Sequence, residues 1–308
     1  MPPTDMRLAA LADVHGNLPA LEAVLKDIKR QGVDHVVVAG DIVHGMAWPQ
    51  EVIDRLRSIG ALMIRGNNED YLVAYHRGTA PERWYSALQW SALRWTYRHL
   101  NDETCDFIAA LPAQRVVALE GTDPIRVVHG SPRSATEHLV PERNPEAVRR
   151  LHAALVHTAA KTLPLAEHLA DLQEPVLLCG HSHVTWQQRE GKHLAINAGS
   201  VGAANMGYPA AFYALLTWKE AAWHVEHRTV HYDFTVVRPA CRERGLLREG
   251  GAFARACLVD IESGYNVAGA FVTYAFRLAE GGEMTDAIWT QAEAAFDWEA
   301  AARGQLDP

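Results

Sequence analysis

The chain has 308 residues, 48% hydrophobic and 21% charged, which is enough for one large domain, or a domain with an appendage, and too apolar for a disordered or fibrous class. Its formal net charge of -8 disfavours a nucleic-acid binder that works through a broad basic surface, though a nucleotide held by metals is compatible with it. The four cysteines include no C-x-x-C pair, which argues against a structural zinc site and fits reduced thiols in a cytoplasmic protein.

Asp13 interrupts the N-terminal stretch where a secretory signal would have to stay apolar. No apolar run reaches the ~20 residues of a membrane span. Short apolar runs predict buried strands at residues 7–12, 35–39, 61–64, 125–128 and 176–179. Between the first of these, Leu18, Leu21, Leu25 and Ile28 recur at helical spacing with Gly32 as a C-cap, and residues 49–59 form a second helix with Pro49 in its first turn. This strand–helix alternation is the pattern of a parallel sheet covered by helices. Residues 82–100 carry Trp84, Tyr85, Trp90, Trp95 and Tyr97 and predict one long aromatic helix, within an insertion at 82–115 that is a candidate wall for an active site. Residues 144–172 read as helical, broken at Pro164. Strand character returns at 193–198, 211–218 and 222–232. From residue 235 the composition shifts, and helical patterns follow at 251–262, 266–279 and 285–303. The division expected is a body of residues 1–234 and a C-terminal helical extension of residues 235–308. The extension shows no chemistry of its own; it is a candidate cap, dimer surface or core cover.

Nearly every predicted strand ends on a metal-type ligand: Asp13 and His15 (ADVHGN), Asp41 (AGDIV), Asn67 (RGNNE), His129 (VVHGS), and His181 with His183 (CGHSHV). Sites in open α/β sheets assemble at these carboxyl ends. Oxygen and imidazole donors without thiolates suit Mn²⁺, Fe, Ni²⁺ or Zn²⁺ in a hydrolytic centre. A carboxylate in the middle of such a set can bridge two divalent metal ions, and cations ~3.5–4 Å apart can share a hydroxide and clamp phosphate oxygens. A single D-x-H or G-D is a weak signal. All five motifs in this order, each behind a predicted strand, point to one site.

The run of D-x-H, G-D, G-N, V-H-G and G-H-x-H resembles the calcineurin-like metallophosphoesterase superfamily over residues 7–232, in its bacterial and archaeal branch of small single-chain enzymes. That resemblance implies an α/β fold: a four-layer αββα sandwich of two mixed β-sheets flanked by helices. It implies one metal on Asp13, His15 and His183, a second on Asn67, His129 and His181, and Asp41 between them, with Mn the favoured ion. The activity implied is hydrolysis of phosphate esters by a metal-bridging hydroxide, as a phosphodiesterase or phosphatase on a small phosphoester or nucleotide substrate. Residues 197–202 (NAGSVG) also look like the family's loop after the H-x-H hairpin. No extended nucleic-acid surface and no membrane partner are expected, and the C-terminal helices are a candidate homo-oligomer contact.

One position departs from the family pattern. Many members carry histidine directly after the G-N asparagine, where this chain has Asn68, then Glu69 and Asp70. Asparagine can donate a hydrogen bond but cannot act as a general acid near neutral pH. His44 and Arg65 are candidates to compensate by contacting phosphate, and Glu69 or Asp70 to orient ligands or cap a helix. A Ser/Thr protein phosphatase, whose members carry G-D-x-V-D-R and G-N-H-E, is weakened by GDIVHG and GNNE here. A non-catalytic scaffold is weakened by the complete ligand set. An amidohydrolase, which places H-x-H early in the chain, is weakened by the order of the motifs.

Overall fold

The computed structural model describes residues 5–155 and 164–305. The strands in chain order are β1 (Met6–Leu11), β2 (His35–Val38), β3 (Leu62–Met63), β4 (Arg115–Val117), β5 (Ile125–Val127), β6 (Val176–Cys179), β7 (Thr185–Glu190), β8 (His193–Ala198), β9 (Ala211–Lys219) and β10 (Ala222–Val230). They form two five-stranded mixed sheets, one in the order β10-β9-β1-β2-β3 and the other β4-β5-β6-β8-β7. In the first, β1, β2 and β3 run parallel and β9 returns antiparallel. In the second, β5, β6 and β8 run parallel.

The sheets pack face to face. Leu8, Ala10, Val37, Leu216 and Trp223 of the first meet Ile125, Val127, Val176, Leu178 and Ile196 of the second. Because β1 is covered on both faces, its run reads as continuously apolar in sequence rather than alternating. The outer face of the first sheet is covered by α1 (Leu18–Gln31), α2 (Pro49–Ser58), α3 (Asn67–His76), α4 (Ser91–Arg98) and α5 (Asp102–Ala110). The second is covered by α6 (Pro145–Leu155) and α7 (Leu165–Leu169). Helix α1 shows why the local reading works: Asn17 accepts from the Ala20 N–H at its start, and Gly32 (φ 61°) closes its end.

The tail folds as α8 (Val237–Glu243), α9 (Leu246–Glu249), α10 (Gly251–Ser263), α11 (Val267–Leu278), α12 (Asp286–Ala295) and α13 (Trp298–Ala302). It has a core of its own around Phe271, Trp289 and Phe296. A second cluster joins it to the body through Met46, Ala47, Trp95, Cys241, Leu246 and Leu258. Among the described residues, no helix is long and apolar enough to cross a membrane.

Two expected helices are broken. Residues 82–100 form two 3₁₀ turns (Glu82–Tyr85 and Leu88–Trp90) before α4 begins. Arg94 draws off the Trp84 and Ala87 carbonyls, and Trp84 stacks on Trp90 at 3.9 Å, so ring packing replaces helical hydrogen bonds. The segment 285–303 divides at Phe296 (ψ 134°), and Asp297 caps the new helix. Part of the helical reading of 144–172, residues 156–163, lies outside the described residues; α7 starts directly after Pro164.

Candidate metal centre

The ligand-type side chains sit where strands of the two sheets run out on the same side of the sandwich. Asp13 and His15 follow β1, Asp41 follows β2, Asn67 opens α3, His129 follows β5, and His181 and His183 follow β6. Five of these residues have left-handed backbone: Asp13 (φ 54°), His15 (53°), Asp41 (53°), His181 (67°) and His183 (59°). This conformation costs an L residue about 1–2 kcal/mol. The other non-glycine positive-φ residues among those described, Glu220, Ala221 and Glu280, lie in exposed turns. Strain gathered at one point and nearly absent elsewhere marks a functional site.

Backbone contacts hold that geometry. The Asp13 N–H donates to Gly40 O at 3.0 Å, His15 N–H to Asp41 O at 3.0 Å, and Met46 N–H to His15 O at 2.7 Å. Glu69, fully buried at the third position of α3, accepts N–H bonds from Gly66 (2.9 Å), Asp41 (2.8 Å), Ile42 (2.8 Å) and Val43 (3.2 Å). One carboxylate thus ties the loop after β2 to the start of α3. Ser200, in the NAGSVG loop, donates to the Asp13 carbonyl at 2.8 Å. Close approach fixes the glycines: a Cβ on Gly66 would lie 2.1 Å from Asp41 Oδ1, and one on Gly180 2.6 Å from Asp13 Oδ2.

The donor atoms point inward. His15 Nδ1 is 2.7 Å from His44 O, His129 Nδ1 2.7 Å from Ala39 O, and His183 Nδ1 2.6 Å from Ala203 O. A carbonyl only accepts, so each Nδ1 carries a hydrogen and each Nε2 is left to offer its lone pair. Yet His15 Nε2 and His183 Nε2 lie 3.0 Å apart. Asp13 Oδ1 is 3.4 Å from His183 Nε2, buried, and without a hydrogen-bond partner. Alongside, His129 Nε2 stands 3.1 Å from Asn67 Oδ1 and 3.4 Å from Asp41 Oδ1. The donors of Asp13, His15 and His183 lie within 4.8 Å of one another, as do those of Asp41, His129 and His181. Lone pairs converging this closely repel unless positive charge lies among them, and two divalent cations fit such a set.

The electrostatics agree. Burial opposes charge on His129, but the Asp41 carboxylate overrides it and pushes the imidazole up to about 10. His183 is raised against burial by Asp13. His15 and His181 are driven down, first by burial and then by their charged histidine neighbours. Without cations, protonation is favoured on His129 and His183, beside the carboxylates, and disfavoured on His15 and His181.

The three non-ligand candidates have different positions. The His44 carbonyl orients His15, while its ring lies 3.0 Å from Thr96 Oγ1 and stacks on Phe253 at 5.6 Å. Burial lowers it to about 4, so it stands neutral. Asn68 lines the cleft, and its side-chain amide donates to Asp41 Oδ2 at 2.7 Å. Arg65 is a correction to the sequence reading: its guanidinium pairs with Asp70 at 2.8 Å and donates to the Ala109 and Leu111 carbonyls, outside the cleft lining. One ion pair and two carbonyl hydrogen bonds hold it against α3 and the end of α5, away from the cleft.

Sequence reasoning missed His138. It stacks on His181 at 4.2 Å (17°), lines the cleft, and leaves Nδ1 without a partner. It lies in an unpatterned loop, where only its distance from the VHGS motif could have suggested it. The cleft itself has a volume of about 410 Å³. Its walls are Tyr71, His138 and Asn205 of the body and Phe253, Asp260 and Val272 of α10 and α11. None of its lining comes from residues 82–115, which act from behind through Thr96 on His44 and Trp90 on Tyr71. The wall is supplied by the tail that seemed to carry no chemistry.

Three comparisons with known proteins bear on this arrangement. Residues 6–221 match the sequence model of the calcineurin-like phosphoesterase superfamily domain. The chain is 29% identical over 228 residues to the uncharacterized protein MJ0912 of Methanocaldococcus jannaschii, covering 73% of this chain and 88% of that one. Its fold is similar to the crystal structure of a metallophosphoesterase from Sphaerobacter thermophilus, with a TM-score of 0.63 and 24% identity over 85% of this chain and 100% of that one. It is also similar to the hypothetical protein PH1004 from Pyrococcus horikoshii OT3, with a TM-score of 0.60 and 19% identity over 84% and 98% of the two chains.

Proposed function

From the premise that this chain belongs to the calcineurin-like phosphoesterase superfamily, and so hydrolyses phosphoric esters, we propose that it does so with two divalent metal ions on small or nucleotide-type substrates. Asp13, His15 and His183 would hold one ion, Asn67, His129 and His181 the other, and Asp41 would reach both. The observation that carries this reading is the 3.0 Å approach of two imidazole Nε2 atoms beside a buried, unpartnered carboxylate oxygen. Nitrogen and oxygen donors without thiolate favour Mn²⁺, with Fe, Ni²⁺ and Zn²⁺ compatible. When bound, such ions supply Lewis-acid polarisation of phosphoryl oxygens and water of lowered pKa.

The chain's own groups do the positioning. His44, Ala39 and Ala203 carbonyls fix the tautomers of His15, His129 and His183. Glu69 fixes the loop that presents Asp41. Asn68 donates its side-chain amide to Asp41 Oδ2 and stands in the cleft lining beside the ligand set.

Asp41→Ala and His183→Ala are each expected to lower Mn²⁺-dependent hydrolysis of p-nitrophenyl phosphate roughly a thousandfold, the size of several kcal/mol of lost charge stabilisation. Wild-type rates in either variant, at full metal supply, would refute the ligand assignment.

A further inference from the structure

The cleft over the ligand cluster is larger than a phosphoryl group requires. Its volume of about 410 Å³ falls in the ~300–1,000 Å³ range of sites for small organic molecules. The floor is the ligand set; the roof is built by α10 and α11 from Phe253, Cys257, Asp260, Ala268, Gly269 and Val272. Floor and roof differ sharply in chemistry.

Among the described residues, no lysine or arginine lines the cleft. The titratable groups of the roof are the Asp260 carboxyl and the Cys257 thiol. Asp260 Oδ1 accepts the Val267 and Ala268 N–H groups at 2.6 and 2.9 Å, so that carboxyl is anchored at the first turn of α11. Neither group neutralises a phosphate in any protonation state. A second phosphoryl group against this roof would be desolvated with no cation to meet it. Beside those two groups stands the Asn266 carboxamide, whose oxygen accepts the Gly269 N–H at 2.9 Å; the remaining surface, of Phe253, Ala268 and Val272, is apolar and partly flat. The Phe253 ring lies parallel to the His44 ring at 5.6 Å (9°), and His44 is itself fixed by Thr96. Offset ring pairs at such distances are favourable, and a further planar group extends them.

We propose that this roof seats the organic half of the substrate, and that the substrate is a phosphoester with a single phosphoryl centre and an uncharged aromatic ring packed on Phe253 and Val272. The proposal rests on the phosphoesterase reading of the floor. Phe253 and Val272 are specificity determinants here, and the tail is part of the substrate site.

Binding of phosphonates to the Mn²⁺-loaded full chain tests the proposal without turnover. By calorimetry, phenylphosphonate is expected to bind about tenfold tighter than methylphosphonate, the upper end of a ring-packing contribution. 4-Phosphonobenzoate, the same ring carrying an added carboxylate, should lose that gain. Phe253→Ala should bring phenyl- and methylphosphonate to within about twofold. Val272→Lys should selectively restore binding of 4-phosphonobenzoate, a gain that misfolding cannot imitate. Equal binding of phenyl- and methylphosphonate by the wild type, or tighter binding of the charged ring than of the neutral one, overturns the proposal. In turnover, phenyl phosphate or adenosine 5′-monophosphate should exceed glycerol 3-phosphate in kcat/KM, the first if the ring sits directly on the phosphate, the second if ribose intervenes. If neither does, the ring site is wrong. If no ester is turned over while the phosphonate order holds, the hydrolytic reading fails and the ring site stands.

Discussion

Asp13 carries three penalties in one side chain: positive φ, complete burial, and a carboxylate oxygen without a hydrogen bond. A residue selected for the fold alone would carry none of them. Asp13→Asn removes the buried charge, keeps an oxygen to accept the His181 N–H, and substitutes a residue that tolerates the left-handed region. The metal-free variant is therefore expected to melt at or above the metal-free wild type. Mn²⁺ at a hundred times its Kd should stabilise the wild type by about 2.7 kcal/mol and the variant by much less. Thermal unfolding with EDTA and with Mn²⁺ checks both; a metal-free variant melting well below the wild type would show that Asp13 supports the fold rather than a cation. A second residue-scale expectation concerns Asn68. Asn68→His is expected to raise hydrolysis of alkyl phosphates far more than of p-nitrophenyl phosphate, toward the ~10²–10⁴ that a general acid supplies. A uniform change across both would show that proton donation is not what limits this site. Asp13 stood out as a candidate in sequence because it lies directly behind an apolar run, and Asn68 because it lies in the G-N turn after another. His138 did not, because nothing periodic leads to it, and Arg65 misled because a strand-end position does not say which way a long side chain turns.

At the scale of elements, a three-residue lock fastens α1 to the first sheet. Asp27 Oδ2 accepts the Tyr213 hydroxyl of β9 and the Arg228 Nε of β10, both at 2.8 Å. Burial would raise the Asp27 carboxyl, but the hydrogen bond from Arg228, with that from Tyr213, overrides it and holds it below its ordinary 3.8. A depressed folded-state pKa gives stability that is complete above the unfolded value and lost as pH falls through the folded one. Asp27→Asn is thus expected to cost about 1.5–3 kcal/mol near neutrality, the worth of hydrogen bonds to a charged group, with the gap to wild type closing well below pH 3.8. Urea unfolding across that range measures it, and a gap that persists undiminished in strong acid would exclude the ionic contribution. This lock could not be read in advance, since it joins residues about two hundred positions apart. The strands and α1 could, because their apolar runs and caps are local. The long aromatic helix over 82–100 failed for the opposite reason: Trp84 and Trp90 stack on each other and edge-on against Tyr71 of α3, and that ring packing outweighed helical periodicity.

For the whole molecule the question is how far the tail is part of the enzyme. It has a core of its own, yet Trp95 of α4, fully buried, sits in the cluster that joins tail to body and donates its indole N–H to the Arg244 carbonyl at 3.2 Å. That cluster also holds Met46 and Ala47, five and six residues beyond the left-handed turn at Asp41, and Met46 lines the cleft, so the same contact seats the tail and backs the cleft. Trp95→Ala removes the largest side chain of the joint, at a cost of about 3–5 kcal/mol for a buried aromatic. The wild type is expected to melt in one calorimetric transition, with Mn²⁺ raising the whole of it. In Trp95→Ala the tail is expected to melt first and separately, with Mn²⁺ raising the later transition and leaving the earlier one in place, because every proposed ligand lies between Asp13 and His183. A single lowered transition that still moves as a whole with Mn²⁺ would mean the tail has no stability apart from the body, and that its own core around Phe271 forms only when the joint does.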